Sequence, residues 1–224
     1  MTSDGADSGI SGTRAVIGIV GGTGAQGRGL ATRWVAAGHS LLIGGRDASR
    51  ADFVARQLGA AGAANDEVCR RAEVVVIAVP WAAHERTVDE LARLLAGKVV
   101  VDCVNPLGFD SRGPYVLDVV EGSAAQQAQA RAPQARVTAA FHHVSALQLA
   151  DRSITNLDQD VLVLGDDRAA TDIVIALADD LPGVRGIYAG RLRNARQVEG
   201  LTANLIAINR RYKVHSSIAI TDLP

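Results

Sequence analysis

The chain has 224 residues, enough for one large domain or for one domain with a smaller lobe. Apolar residues make up 48% of the chain and charged residues 21%, a balance that excludes a chain too polar to form a core. The formal net charge of −1 provides no overall field to attract nucleic acid or an anionic membrane, so we expect neither as a partner.

Residues 1–13 mix Gly, Ser, Asp and Thr and lack the basic and apolar segments of a secretory signal, so we expect a disordered tail there. The longest apolar run, Val74 to Ala83, is about half as long as a bilayer-spanning helix and contains Pro80. Cys69 and Cys103 are too few for a disulfide framework and lack the close spacing of a zinc or redox pair. These features predict a soluble, cytoplasmic protein with buried thiols and no metal site.

The first half of the chain alternates short apolar runs with helical patterns. The runs are typical of strands that are buried on both faces of a parallel sheet. The predicted elements are, in order, a strand over Ala15 to Val20, a helix over Ala25 to Ala37, a strand over Ser40 to Ile43, a helix over Ala48 to Leu58, a strand over Val74 to Val79, a helix over Ala83 to Leu95 and a strand over Val99 to Asp102. This order predicts an α/β fold with a doubly wound parallel sheet and a ligand crevice at the carboxyl ends of its strands.

The second half of the chain continues the alternation after a loop rich in glycine and proline. Its predicted elements are a helix over Ser123 to Ala132, a strand over Arg136 to Ala140, a strand over Asp160 to Leu164, a helix over Arg168 to Leu181, a strand over Gly186 to Ala189 and a long helix over Arg193 to Arg211. We therefore expect a dinucleotide-binding Rossmann domain over residues 14–140. A smaller C-terminal α/β lobe over residues 141–224 would close over its crevice.

The turn after the first strand carries a G-x-G-x-x-G pattern directly before a helix. Its residues are Gly22, Thr23, Gly24, Ala25, Gln26 and Gly27. The first glycine permits a tight turn, the second lets the backbone approach a pyrophosphate, and the third lets helix and strand pack closely. The helix N-terminus would then face the phosphates with free N–H groups. The pattern predicts a dinucleotide site, and the alternative is an ordinary strand-to-helix turn.

The second strand is followed by basic residues at the place where NAD enzymes put an acid on the ribose 2′-hydroxyl. Arg46 follows Gly45, and Arg50 lies four residues later, so both could bind a 2′-phosphate by charge-assisted hydrogen bonds. This pattern favours NADP over NAD. Two alternatives stay open: Asp47 could reach the ribose if the strand ends later, and both arginines could simply be solvated.

The third strand runs into Val79, Pro80 and Trp81. Because proline cannot donate a hydrogen bond to a neighbouring strand, the strand must stop there and the chain must turn at the crevice. Trp81 could lie beside a nicotinamide, or it could pack beneath a helix.

Several segments together resemble one family far more specifically than the glycine pattern does. They are G-I-V-G-G-T-G-A-Q-G-R-G-L-A, I-G-G-R at Ile43 to Arg46, V-P-W at Val79 to Trp81, V-V-D-C-V-N-P-L at Val100 to Leu107, A-F-H-H-V-S-A at Ala140 to Ala146, and N-A-R-Q-V-E-G-L-T at Asn194 to Thr202. From about residue 14 to residue 209 the chain is similar to the F420:NADP oxidoreductases, the NADPH-dependent coenzyme F420 reductases of archaea and actinobacteria.

This resemblance implies reversible, direct hydride transfer between NADP(H) and the 8-hydroxy-5-deazaflavin coenzyme F420, a co-substrate stacked on the nicotinamide. It implies that Thr23, Gly24, Ala25 and Gln26 hold the phosphates, that Gly45, Arg46 and Arg50 meet the 2′-phosphate, that Val79 lies on the nicotinamide side, and that His142, Val144 and Ala146 contact the deazaflavin and nicotinamide. Many relatives carry Ser where Gly45 stands, so one phosphate contact is absent here. His142 could donate to the deazaflavin or steady its charge, or it could be a hydrogen-bonded loop residue.

Other interpretations stay open. The protein could be a different NADP-dependent reductase on this scaffold, ferric-reductase-like or imine-reducing, or an NADPH-sensing module without turnover. Six basic residues between Arg191 and Lys213 could attract the anionic tail of the coenzyme or form a solvated helix face. The apolar segment from Ile218 to Leu223 suggests a partner surface, such as that of a homodimer.

Overall fold

The computed structural model describes residues 15–223, so the predicted tail over residues 1–13 lies outside the described part of the chain. The strands are β1 (Ile17–Val20), β2 (Leu41–Gly45), β3 (Ala61–Ala64), β4 (Val74–Ile77), β5 (Val99–Asp102), β6 (Leu107–Asp110), β7 (Gly113–Val116), β8 (Arg136–Ala139), β9 (Gln159–Gly165) and β10 (Val184–Gly190). The helices are α1 (Ala25–Ala36), α2 (Ala48–Leu58), α3 (Asn65–Arg71), α4 (Trp81–Leu95), α5 (Ala124–Arg131), α6 (Ala146–Ala150), α7 (Arg168–Asp179) and α8 (Ala195–Tyr212).

Eight of these strands form one sheet in the order β10-β9-β8-β5-β4-β1-β2-β3. All neighbouring pairs are parallel except β8 and β9, which are antiparallel. This arrangement confirms the predicted α/β class with a doubly wound sheet. The strand order reverses between β1 and β4, which places a crevice at the carboxyl ends of these strands.

Apolar layers cover both faces of the sheet, and this explains the nearly continuous Val and Ile runs of β1, β4 and β5. One layer packs Trp34 of α1 and Val174 of α7 against the strands, and the other packs Val88 of α4 and Val198 of α8. No helix among residues 15–223 is long and apolar enough to cross a membrane.

Several elements differ from those predicted. The strand β3 has the small sequence Ala-Gly-Ala-Ala, and a Cβ at Gly62 would lie 2.4 Å from the backbone of Asp52. Close approach of α2 therefore defines β3, rather than an apolar pattern. Helix α3, the hairpin β6–β7 and helix α6 were also not predicted. Strand β4 ends at Ile77 and α4 begins at Trp81, because Pro80 occupies the position just before the helix.

The segment after residue 140 extends the same sheet, since β9 pairs with β8 and β10 pairs with β9. Helix α8 then packs on the hairpin β6–β7 and on α5. A division of the chain at residue 140 into a Rossmann domain and a smaller lobe stays a prediction.

Candidate active site at the carboxyl edge of the sheet

The glycine turn between β1 and α1 is built by close backbone packing. A Cβ at Gly27 would lie 2.6 Å from Cα of Gly22, and a Cβ at Gly22 would lie 2.8 Å from the carbonyl oxygen of Ile19. At Gly24, by contrast, no described atom would come closer than 3.3 Å. Gly22 and Gly27 are therefore required by packing, whereas Gly24 leaves the backbone accessible to a ligand.

Helix α1 begins at this turn and presents the N–H groups of its first turn, which have no partner within the helix. Gly24 is its N-cap, no side chain caps the helix, and its first turn contains no acidic residue. The side chain of Gln26 donates from Nε2 to the carbonyl oxygen of Phe141 at 3.1 Å. A positively polarised helix terminus of this kind suits a pyrophosphate, and the site predicted from the glycine pattern stays a prediction.

The end of β2 lies next to the glycine turn, because a Cβ at Gly45 would be 3.4 Å from Cγ2 of Thr23. Asp47 is the N-cap of α2, and its Oδ1 accepts from the N–H groups of Ser49 and Arg50 at 2.9 and 3.1 Å. Its carboxylate is thus engaged by the helix. Arg46 and Arg50 are exposed, and neither has an ion-pair partner within residues 15–223. This arrangement suits recognition of a 2′-phosphate.

A cavity of about 620 Å³ opens between the ends of β4 and β5 and helix α8. Its lining is mostly apolar and includes Gln26, Val79, Pro80, Trp81, Cys103, Asn105, Leu107, Phe109, Thr202 and Ile206. Trp81 is half-buried, lines this cavity and stacks on the ring of His84, with 5.4 Å between centroids and 28° between planes. Trp81 thus lies at the cavity and packs on a buried ring, and its place beside a nicotinamide stays a prediction.

His84 belongs to a buried polar cluster behind this cavity. Its Nε2 lies 2.6 Å from Oδ2 of Asp102, and its Nδ1 lies 3.0 Å from Oε1 of Gln127. Burial lowers the pKa of His84, but the charge and hydrogen bond of Asp102, aided by Gln127 and Glu199, raise it to about 9. Asp102 also accepts from the N–H of Val104 at 3.0 Å. At neutral pH the cluster therefore holds an imidazolium beside a carboxylate.

Glu199 of α8 lies near the same cluster and is fully buried. Its carboxylate accepts from the N–H groups of Ala124 and Ala125 at 2.9 and 3.1 Å, at the start of α5. Burial raises the pKa of Glu199 to about 7, and the two backbone hydrogen bonds oppose that rise. The sequence analysis did not assign His84, Gln127 or Glu199 to the site. The histidine that follows the P-W motif in the family aligns with Ala83, one position before His84, and the partners of all three residues come from separate elements.

His142 and His143 follow β8 and are 4% and 5% exposed. Their ring nitrogens make no hydrogen bond of normal geometry within residues 15–223. Burial lowers the pKa of each histidine to about 4, although nearby carbonyls of Cys103 and Val104 favour protonation of His142. Both rings are therefore neutral at physiological pH.

The backbone of His142 is held more firmly than its ring. Its carbonyl oxygen accepts from Nδ2 of Asn105 at 2.9 Å and from Oγ1 of Thr202 at 3.1 Å. Phe141, just before it, has a φ of 63°, which an ordinary side chain rarely adopts. The three contacts with Gln26, Asn105 and Thr202 join the segment after β8 to the glycine turn, to β5 and to α8.

A second cavity, of about 560 Å³, lies on the other side of α8. It is lined by His142, His143, Val144, Ser145, Leu147, Thr202, Leu205, Ile206, Asn209, Arg210, Lys213, Val214, His215 and Ser216. Thr202 and Ile206 line both cavities. Ala146 lines neither cavity and begins α6, which packs on α1 where a Cβ at Gly29 would meet Leu149 at 2.7 Å.

The structure thus brings most of the predicted residues to one edge of the sheet, in two groups. Gln26 of the glycine turn lines the first cavity together with Val79, Pro80 and Trp81, and His142 and Val144 line the second. Within residues 15–223, no three His, Cys, Asp or Glu side chains are grouped so that they could hold a metal ion.

Comparisons with known proteins point to one family. The family model for NADP oxidoreductase, coenzyme F420-dependent, matches residues 16–106. The F420-dependent NADP reductase of Methanothermobacter thermautotrophicus is 38% identical over 222 residues, covering 93% of this chain and 95% of that protein. The reductase of the same name from Methanocaldococcus jannaschii is 33% identical, covering 92% and 98%.

A crystal structure of a candidate F420-dependent NADP-reductase from Arthrobacter sp. shares the fold, with a TM-score of 0.81 and 27% identity. The match covers 93% of this chain and 99% of that one. The resemblance carried by the sequence motifs is confirmed by relatives of nearly full length, and the chain belongs to the F420-dependent NADP reductase family.

Proposed function

We propose that this protein catalyses reversible hydride transfer between NADP(H) and coenzyme F420 at the carboxyl edge of the sheet. The observation that carries the proposal is the pair of cavities that share Thr202 and Ile206, the first of which adjoins the glycine turn. The full-length relatives are named for this activity. A ferric-reductase-like, imine-reducing or purely sensing role is therefore not favoured.

The phosphate end of NADP(H) would be held by Thr23, Gly24, Ala25 and Gln26, with Gly22 and Gly27 shaping the turn. Free N–H groups of α1 supply hydrogen-bond donors for a pyrophosphate, and the accessible backbone at Gly24 allows close approach. Arg46 and Arg50 would hold the 2′-phosphate beside Gly45, since they are exposed cations without an ion-pair partner in the described chain.

The ring end would lie in the first cavity, against Val79, Pro80 and Trp81. When bound, NADP(H) and F420 supply the hydride donor and acceptor. The chain orients the two rings and excludes water, since the cavity lining is mainly apolar.

His142, Val144 and Ala146 would place the segment after β8 against the deazaflavin. Because the pKa of His142 is lowered to about 4 by burial, its ring would act as a neutral group and would not supply a positive charge. The carbonyl of His142, fixed by Asn105 and Thr202, holds the segment in place whether or not the ring touches the coenzyme.

The experiment mixes the purified protein with NADPH and oxidised F420 and follows the absorbance at 420 nm, without added metal or flavin. We expect bleaching that depends on protein. In a parallel sample, His142→Ala should slow bleaching or raise the KM for F420 while leaving the affinity for NADPH nearly unchanged. No bleaching by folded protein between pH 5 and 9 would contradict the proposed function.

We also propose that the protein forms a homodimer and is located in the cytoplasm. A homodimer is supported by partly exposed apolar side chains near the C-terminus, Ile220 and Leu223, and sedimentation analysis would test it. A cytoplasmic location is supported by the two free, buried thiols of Cys69 and Cys103. The concentrations of both coenzyme pairs in the cell set the direction in which the reaction runs.

A further inference from the structure

Trp81 lines the first cavity, and its side chain packs on a buried ionisable residue. One face of its indole lies on the imidazole of His84, and the residue also lines the cavity. His84 is fully buried, so its ring cannot itself reach a ligand in this structure. Its effect on the reaction must pass through the residue that it touches.

The partners of His84 fix both the position of its ring and its protons. Gln127 donates from Nε2 to Glu121 at 3.2 Å, which orients its Oε1 towards Nδ1 of His84. Asp102 presents a carboxylate oxygen to Nε2. Because both ring nitrogens face acceptors, the ring carries two N–H groups, and each of the two donates a hydrogen bond.

We propose that His84 is a positioning residue, clamped between Asp102 and Gln127, whose ring holds the indole of Trp81 at the wall of the cavity that receives the two coenzyme rings. The inference rests on the proposed function and extends it to a residue that contacts neither coenzyme. It connects α4, β5 and α5 directly behind the cavity wall. We call the ring of His84 the platform of Trp81. If this ring were free to move, Trp81 would move with it, and misplacing reacting rings by even an ångström slows a reaction greatly.

The charges that face His84 are those of Asp102 on β5 and of Glu199 on α8, with Glu121 lying beyond Gln127. The carboxyl of Glu199 has a pKa of about 7, raised by its burial, and His84 has a pKa of about 9. An imidazolium stacked on an indole quenches tryptophan fluorescence. The emission of Trp81 therefore reports the protonation of its platform.

The first measurement uses the natural chain. Only two tryptophans are present, and Trp34 is fully buried with its Nε1 bonded to the carbonyl oxygen of Leu177. Subtracting the emission of Trp81→Phe isolates Trp81. We expect this emission to rise as the pH passes through about 9 and to show no such rise in His84→Gln. A flat emission in the natural chain would overturn the stacked platform.

The second measurement is kinetic. In His84→Gln we expect kcat/KM for F420 to fall about tenfold, while the Kd for NADPH stays nearly unchanged because its phosphates bind elsewhere. The double variant His84→Gln with Trp81→Phe should be no slower than Trp81→Phe alone. Losses that multiply would show that His84 does not act through Trp81 and would overturn the proposal.

A matched control is His39→Gln. His39 also pairs with an aspartate, Asp180, at 2.7 Å, but it precedes β2 at the opposite edge of the sheet. The rate of F420 reduction by the His39→Gln variant should equal that of the natural chain. If the natural chain shows no F420 reduction, the proposed function fails, and the emission measurement still decides the platform. If His84→Gln does not fold, the natural chain and Trp81→Phe still provide that decision.

Discussion

The glycine turn after β1 and the polar cluster behind Trp81 lie at the same edge of the sheet, but they differ in whether their polar groups have partners. At the turn, free N–H groups of α1 have no partner within the helix, and beside the turn the exposed cation of Arg46 after β2 has no ion-pair partner in the described chain. In the cluster, the ionisable side chains of His84, Asp102 and Glu199 are fully buried and each is hydrogen-bonded.

This contrast follows from what each region has to do. Unpaired groups at a surface cost little and are available to a charged ligand, whereas an unpaired charge in the interior costs several kcal/mol. Changes at exposed, unpaired groups such as Arg46 and the accessible backbone at Gly24 should therefore lower ligand affinity more than stability. Changes in the cluster should instead destabilise the folded chain. Measurements of the free energy of unfolding therefore test this contrast.

The largest expected effect is that of Asp102→Ala. Removing the carboxylate leaves a buried imidazolium and the N–H of Val104 without their acceptor, so the free energy of unfolding should fall by about 3 to 5 kcal/mol. Urea unfolding followed by circular dichroism measures it. The control is Asp118→Ala, whose side chain is 94% exposed and pairs with Arg196, and it should cost at most about 1 kcal/mol. Similar costs for both variants would contradict the contrast.

The next effect is a loss of stability in acid. The pKa values of His142 and His143 are lowered to about 4 in the folded chain, so the unfolded chain, with the ordinary value of about 6.5, takes up protons first as the pH falls. Stability due to these two rings is fully present above pH 6.5 and is lost towards pH 4, by about 3 kcal/mol for each ring.

Glu199 has the opposite sign, because its raised pKa of about 7 adds stability as the pH falls towards 4.5. Two histidines outweigh one carboxyl, so the net free energy of unfolding should decrease between pH 6.5 and 4. Urea midpoints across this range test the prediction. His143→Gln should flatten the decrease, and the exposed His215→Gln should not. A urea midpoint that does not fall between pH 6.5 and 4 would refute the lowered pKa values of His142 and His143.

Two glycine variants separate packing from binding within the turn itself. Gly27→Ala places a methyl 2.6 Å from Cα of Gly22, and this overpacking should cost about 1 to 3 kcal/mol of stability. Gly24→Ala has its nearest neighbour at 3.3 Å, so it should keep most of the stability but lose affinity for NADPH. Thermal unfolding and fluorescence titration with NADPH distinguish them. The reverse pattern would mean that Gly24, rather than Gly27, supports the fold.

The smallest expected effect on stability is that of Arg46→Ala. This exposed side chain has no ion pair in the described chain, so unfolding should change by no more than about 0.5 kcal/mol. Binding of NADPH should weaken by about 1.5 to 3 kcal/mol, because a hydrogen bond to a charged phosphate is lost, and binding of NADH should not change. The control is Arg56→Ala, which lies on helix α2 and pairs with Asp52. Equal weakening of NADPH and NADH would exclude Arg46 from the 2′-phosphate.

Much of the fold was predictable because its signals are local. The apolar runs of β1, β4 and β5 and the turn between β1 and α1 depend on neighbouring residues, and each appears where the sequence places it to within two residues. The hairpin β6–β7 was missed because Leu107–Asp110 and Gly113–Val116 lack an alternating pattern. It is defined by its own cross-strand pairing and by packing against α8.

The sequence by itself determined the order of the remaining strands and helices, without β3, α3, the hairpin β6–β7 and α6. It also determined the glycine turn before α1 and the basic residues after β2, because each depends on residues within one or two turns of chain. Only the tertiary structure decided that Trp81 rests on His84, that His84 lies between Asp102 and Gln127, and that Glu199 binds the start of α5. The partners of the buried cluster come from α4, β5, α5 and α8. Burial of charge is favourable only when all of its partners arrive together, and that condition belongs to the assembled fold.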